Sequence, residues 1–250
     1  MNSHRPYVGR RTTLPLGDTR VIAVSAPRRR SGASIMAMLM AVTACAESRR
    51  TLLVGTGVDA DARAKMLGDS ADRLGISTAM LAEGDRRSAI KKLLPTFRDH
   101  EVVVIDVGSE RAMISAVAGT LDAHHLVVSA SVDAGSLAAS YAVVKSIHEA
   151  APHAVIDFTV NRQAAARGVE AFRCVQSATS RFLNRELRYA GTIPEDEELR
   201  AAVLAEHPLP YVADRFRAGQ TGLEIAARLV TEITTTAFAS HAARQHSWRD

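Results

Sequence analysis

The stretch "SAPRRRSGAS", residues 25–34, puts three arginines, a glycine and a serine between an apolar run and an alanine- and methionine-rich segment. A short strand, a loop and a helix N-terminus form a natural grip for an anion, because free N–H groups and the helix dipole converge there. In this setting Arg28, Arg29 and Arg30 supply cationic forks suited to phosphate or carboxylate. Gly32 and Ser34 would leave backbone N–H groups and a hydroxyl at the helix start. Further along the chain, Asp106 ends the run "VVVID" and is a candidate for holding a hydrated magnesium ion together with Ser34. Asn161 and Arg162 end the run "FTV" and are polar groups at a further strand end.

Other polar residues offer less. His124 and His125 are adjacent, so in a strand they point to opposite faces and make a poor chelating pair. Serines, histidines and aspartates show no nucleophile-elbow motif, so a hydrolase triad is not expected. Cys45 and Cys174 both lie in helical, alanine-rich patterns and read as small buried hydrophobes in a reducing cytosol.

The elements that must position these residues alternate regularly. Strands are expected at 21–26, 51–55, 77–81, 101–106, 125–130, 154–160 and 187–193. Helices are expected near 33–47, 86–96, 110–120, 133–150, 164–184, 195–205 and 219–233. Several strands are continuously apolar, the pattern of strands buried on both faces. Helix-start signals agree: Asp133 is a capping residue, and "IPEDEEL" puts Pro194 and acids at a first turn. The alternation implies an α/β fold with an open, mainly parallel, twisted sheet and helices on both faces. In such sheets ligands bind at the carboxyl ends of strands, where Arg28–Arg30, Asp106 and Asn161 all fall.

At 250 residues, 47% hydrophobic but only 4% aromatic, the chain suits one domain with an aliphatic core, expected over 20–235. Residues 1–19 read as a disordered basic arm, with Arg5, Arg10 and Arg11, and 236–250 as a C-terminal tail. The net charge of +4 is too modest to favour nucleic acid as partner. "RRRSGASIMAMLMAVTACAE" imitates a secretory signal, but removing it would discard a buried strand and its helix, so a cytoplasmic location is expected. The segment from Thr221 carries Glu224 and Glu232 against Arg228, which is not the basic face a membrane surface selects. Membrane association is therefore not expected, or only indirectly.

Read in order, the loops resemble those of the MinD/ParA group of deviant P-loop ATPases over about residues 20–233. "VVVIDVGSE", "LVVSASVDAGSLAASYAVVKSI" and "FTVNR" match the family's successive strand ends. "RFLNRELRYAGTIPEDEELRAAVLAEHPL" is similar to a pattern most familiar in flagellar-number regulators of the FlhG/FleN type. The resemblance implies a P-loop NTPase fold and aligns Asn161 and Arg162 with residues that contact the nucleotide base. It also exposes departures. Against the family loop G-K-G-G-V-G-K-[ST], Arg29 and Arg30 replace paired glycines, and Ala33 replaces the phosphate-binding lysine. Gly55 and Gly57 stand where the family has aspartates, the second of which orients the attacking water. Lost phosphate contact and lost water positioning each remove orders of magnitude in rate.

The expectation is a degenerate, ATPase-inactive regulatory or assembly protein of a bacterial surface apparatus, flagellar by resemblance, acting through a protein partner. The alternatives are a weak but genuine ATPase with an arginine-modified loop, or a nucleic-acid-associated ParA relative. The sequence leaves open whether ATP and magnesium bind and whether the chain forms a homodimer.

Overall fold

A computed structural model describes residues 14, 16–56, 67, 70–82, 84–205 and 207–246. The elements run β1 (Arg20–Ser25), α1 (Ala33–Ala46), β2 (Thr51–Thr56), α2 (Ser70–Leu74), β3 (Ile76–Leu81), α3 (Arg86–Arg98), β4 (Val102–Gly108), α4 (Arg111–Ala118) and β5 (Ala123–Ser129). They continue with α5 (Ala134–Ala150), β6 (Ile156–Asn161), α6 (Ala165–Leu183), β7 (Arg188–Ile193), α7 (Glu197–Leu204), α8 (Leu209–Val212), a 3₁₀ turn (Ala213–Arg215) and α9 (Arg217–His246). The seven strands form one sheet in the order β3-β2-β4-β1-β5-β6-β7, and every pair is parallel. β1 lies centrally, with Val24 in register with Asp106 on one side and Leu126 on the other.

Alternation along each strand feeds two separate cores. On β5, Ala123 and Val127 join the cluster under α3, α4, α5 and α6, whereas Leu126 and Val128 join the cluster under α1, α7 and α9. Both faces are covered, which is why the strands read as unbroken apolar runs. α1 is buried around most of its circumference, from Met36 to Ala41, between the sheet and α9. That all-round burial is what made its sequence resemble a signal segment. α9 can approach α1 closely because Gly222 faces Leu39: a Cβ there would stand 2.7 Å from the leucine Cδ1.

The termini differ from expectation in extent. Leu14 N donates to Thr120 O at 3.0 Å, Leu16 is buried, and the Thr19 hydroxyl donates to the carbonyls of Phe97 and His100. So the last part of the proposed 1–19 arm is tied to the domain; residues 1–13 and 15 lie outside the described residues. Leu14 and Leu16 give that segment apolar surface to pack against the domain. At the other end α9 runs through the proposed boundary at 236 to His246, since neither glycine nor proline follows Gly222 to stop it. Its Ile225, Ala226, Leu229 and Val230 pack into the core. Among the described residues no helix is long and apolar enough to cross a membrane.

Candidate functional site

The loop between β1 and α1 is anchored at its root by Ala26 N, which donates to Gly108 O at 2.9 Å, joining it to the end of β4. It then turns through two left-handed positions, Arg30 at φ 61° and Gly32 at φ 98°. Between them Ser31 is buried, and its hydroxyl donates to Arg28 O at 2.9 Å, closing the loop on itself. Asn161, at the end of β6, donates from Nδ2 to Ser31 O at 3.0 Å. A Cβ at Gly32 would lie 2.3 Å from that Nδ2, so glycine is required both by the backbone angle and by the seated amide. The predicted Asn161 and Gly32 are thus brought together, but the Asn161 amide is engaged in holding the loop.

Helix α1 begins at Ala33 without a side-chain cap. Ala33, at the position the resemblance gives to lysine, is 6% exposed and packs into the core, so no cation reaches from it. Ser34 is half-buried at the same turn. Arg28, Arg29 and Arg30 are all exposed. Arg28 reaches the start of α5: its terminal nitrogen would stand 3.0 Å from a Cβ on Gly135. There Asp133 caps α5, accepting from Ser136 N at 2.9 Å, from Ser136 Oγ at 2.7 Å and from Ser131 Oγ at 2.5 Å. Those hydroxyl and amide donors, then the charge of Arg28, hold the Asp133 carboxyl well below the usual range.

Asp106 is 1% exposed at the carboxyl end of β4, in register with Val24 and with Gly55 of β2. The Thr56 hydroxyl donates to the Asp106 and Val107 carbonyls at 2.9 and 3.1 Å. Asp106 and Ser34 thus share the sheet's carboxyl edge. Among the described residues no cluster of three or more histidine, cysteine or acidic side chains is spaced to hold a metal. Arg162, at φ 57°, is exposed beside Asn161. Gly57 lies outside the described residues.

Two polar arrangements escaped the sequence. One is the Ser31–Asn161 link, which joins residues 130 positions apart. The other crosses three neighbouring strands: His124 Nε2 meets Asp157, Arg188 Nε donates to Asp157 Oδ1 at 3.1 Å, and Arg188 also pairs with Glu232 on α9. A lone aspartate inside "VIDF" was the available signal for it, since a buried carboxylate needs partners. His125 points away from this network, as adjacent strand residues must, and is 1% exposed in the opposite core. Neither cysteine is as buried as expected: Cys45 is half-buried and Cys174 exposed.

No family model matches the sequence, and no curated protein does. Solved structures do. MinD in the MinC:MinD cell division complex of Aquifex aeolicus aligns at TM-score 0.63 and 13% identity, covering 84% of this chain and 95% of that one. A ParA family ATPase from Chlorobium tepidum aligns at 0.60 and 16% identity, covering 84% and 98%. A variant of McdA from Cyanothece, solved as its ATP complex, aligns at 0.60 and 15% identity, covering 87% and 96%. The all-parallel seven-stranded sheet with β1 at its centre, and its likeness to these structures over most of the chain, give this protein the MinD/ParA P-loop fold.

Proposed function

We propose that this protein is a non-hydrolysing MinD/ParA-like regulator or assembly factor that acts by binding a protein partner of a bacterial surface apparatus. The flagellar branch, FlhG/FleN-like, is favoured by the resemblance of residues 181–209. One observation carries the reading: the position that should present a phosphate-binding lysine holds Ala33, buried in the apolar core. Two neighbouring features agree with it. Asn161 is engaged by the loop's own backbone, and Gly55 offers no carboxylate opposite Asp106. Missing phosphate and water contacts each cost several kcal/mol of transition-state stabilisation. The exposed Arg28, Arg29 and Arg30 turn the same edge into a surface for an acidic partner or a phosphate-bearing ligand.

The test is ATP turnover with magnesium, alongside binding of a candidate partner encoded next to this protein. No hydrolysis above background, with salt-sensitive partner binding lost on replacing Arg28, Arg29 and Arg30 by serine, is the expected result. Robust hydrolysis abolished by Asp106→Ala would instead establish the second reading, a true ATPase with an arginine-modified loop. That reading draws on the retained Asp106 and Ser34 at the sheet's carboxyl edge.

A further inference from the structure

Two exposed surfaces on opposite sides of the sheet are complementary to each other. The first is an apolar groove of about 330 Å³ between α5 and α6, lined by Ala134, Leu137, Tyr141, Cys174, Ala178 and Phe182. Phe182 is 66% exposed, meets the Tyr141 ring edge-on at 6.3 Å, and carries the Arg181 guanidinium 5.3 Å from its centroid. Residues 165–185 hold Arg167, Arg173, Arg181 and Arg185 against only Glu170. Arg173 and Arg181 make no ion pair among the described residues. Aromatic side chains and arginine at an exposed apolar patch are the composition of an interface core rather than of ordinary surface.

The second surface is the outer side of α7. Leu199 anchors this helix inward. Glu197, Ala201, Leu204 and Ala205 are all exposed, at the spacing of one helical face. Leu204, 73% exposed, is the most exposed large hydrophobic side chain among the described residues. Glu195, Glu197 and Glu198 are exposed at the acidic end of the helix. A short apolar stripe with acids at one end matches an apolar groove with cations around it.

Leu199 belongs to the core shared with α1 and α9, whereas Ala171 and Val175 of α6 belong to the opposite core. One chain therefore cannot fill its own groove with its own α7. We propose that α7 of one copy docks in the α5/α6 groove of a second copy, Leu204 entering beside Phe182 and the acidic end of α7 lying toward Arg181. Groove and α7 lie on opposite sides of the sheet, so each contact leaves a groove and an α7 free, and the contact repeats head-to-tail into a ring or a filament. It needs no nucleotide and stands independently of the function proposed above.

Sedimentation velocity of the full chain over a wide concentration range tests this. The wild type should rise from monomer through dimer to larger species, with the rise weakened by salt. Phe182→Glu and Leu204→Glu change exposed side chains, so both should keep the wild-type circular dichroism spectrum, and each alone should stay monomeric. Mixing the two should restore association but stop it at a dimer, because only one intact groove and one intact α7 remain to meet. Arg181→Glu and Glu197→Arg should each weaken assembly, and combining them in one chain should recover it. A wild type that remains monomeric throughout overturns the proposal, as does a mixture that fails to associate. Association that appears only with magnesium-ATP and ignores both substitutions overturns it too.

Discussion

Replacing His125 by leucine is expected to remove much of this protein's sensitivity to mild acid. The His125 ring lies on the face of β5 shared with Ala123 and Val127, and Nε2 is buried with no hydrogen-bond partner. Burial, then the charges of His124 and Arg185, push its pKa down from 6.5 to about 3. The folded imidazole is therefore neutral at every pH where the unfolded one titrates. Between about pH 6.5 and pH 3 the unfolded chain binds one proton more, so this contribution to stability is complete above 6.5 and is lost as pH falls. From pH 7 to pH 5 the loss amounts to about 2 kcal/mol, and below pH 3 it approaches about 5 kcal/mol. Asp85, Glu101, Asp133 and Asp196, whose carboxyls are all held below their ordinary values, act only at lower pH. His148, also depressed by burial, leaves a smaller slope of the same sign. Urea unfolding followed by far-UV circular dichroism at pH 7 and pH 5 measures the effect. His125→Leu, which removes the proton site and the orphaned nitrogen, should flatten the pH dependence by about 2 kcal/mol relative to wild type. An unchanged slope in that variant would refute the assignment of the acid sensitivity to this ring.

The strand network should show a gradient from inside to outside: Arg188→Ala, which strips one of two partners from the buried Asp157, should cost about 1.5–3 kcal/mol, while Glu232→Gln at the exposed end should cost about 1 kcal/mol or less in urea unfolding. Gly32→Ala imposes a strained left-handed angle and displaces the Asn161 amide, and should lower stability by about 1–3 kcal/mol. Asn161→Ala removes only the bond to Ser31 O and should cost about 1 kcal/mol, so the ranking of these two by thermal melting checks the loop geometry. Replacing Arg28, Arg29 and Arg30 together by serine should change stability by about 0.5 kcal/mol or less, because all three are exposed, while weakening anion or partner binding in low salt more than in high salt.

Much of the architecture is written locally. Seven β-branched runs separated by helical periods dictated a parallel, doubly covered sheet, because a strand apolar on both faces is stable only with helices on both sides. Asp133 declared its helix through capping chemistry that acts over three residues, and the acids of "IPEDEEL" marked another start, where Asp196 is the cap. The short α2 and α8 were missed, as a single turn or two carries too little periodicity to read. The substitutions at 29, 30, 33 and 55 were legible because they are residue identities at motif positions. What their side chains do was not. That Asn161 is seated on Ser31, that Ala33 turns into the core, and that Arg28 reaches α5 all depend on strands remote in sequence lying side by side. The same holds for His124 and His125: adjacency fixed that they face opposite ways. Only the assembled sheet decided that one would meet Asp157 and the other would be buried without a partner for Nε2, because burial and pairing are properties of what packs against a strand.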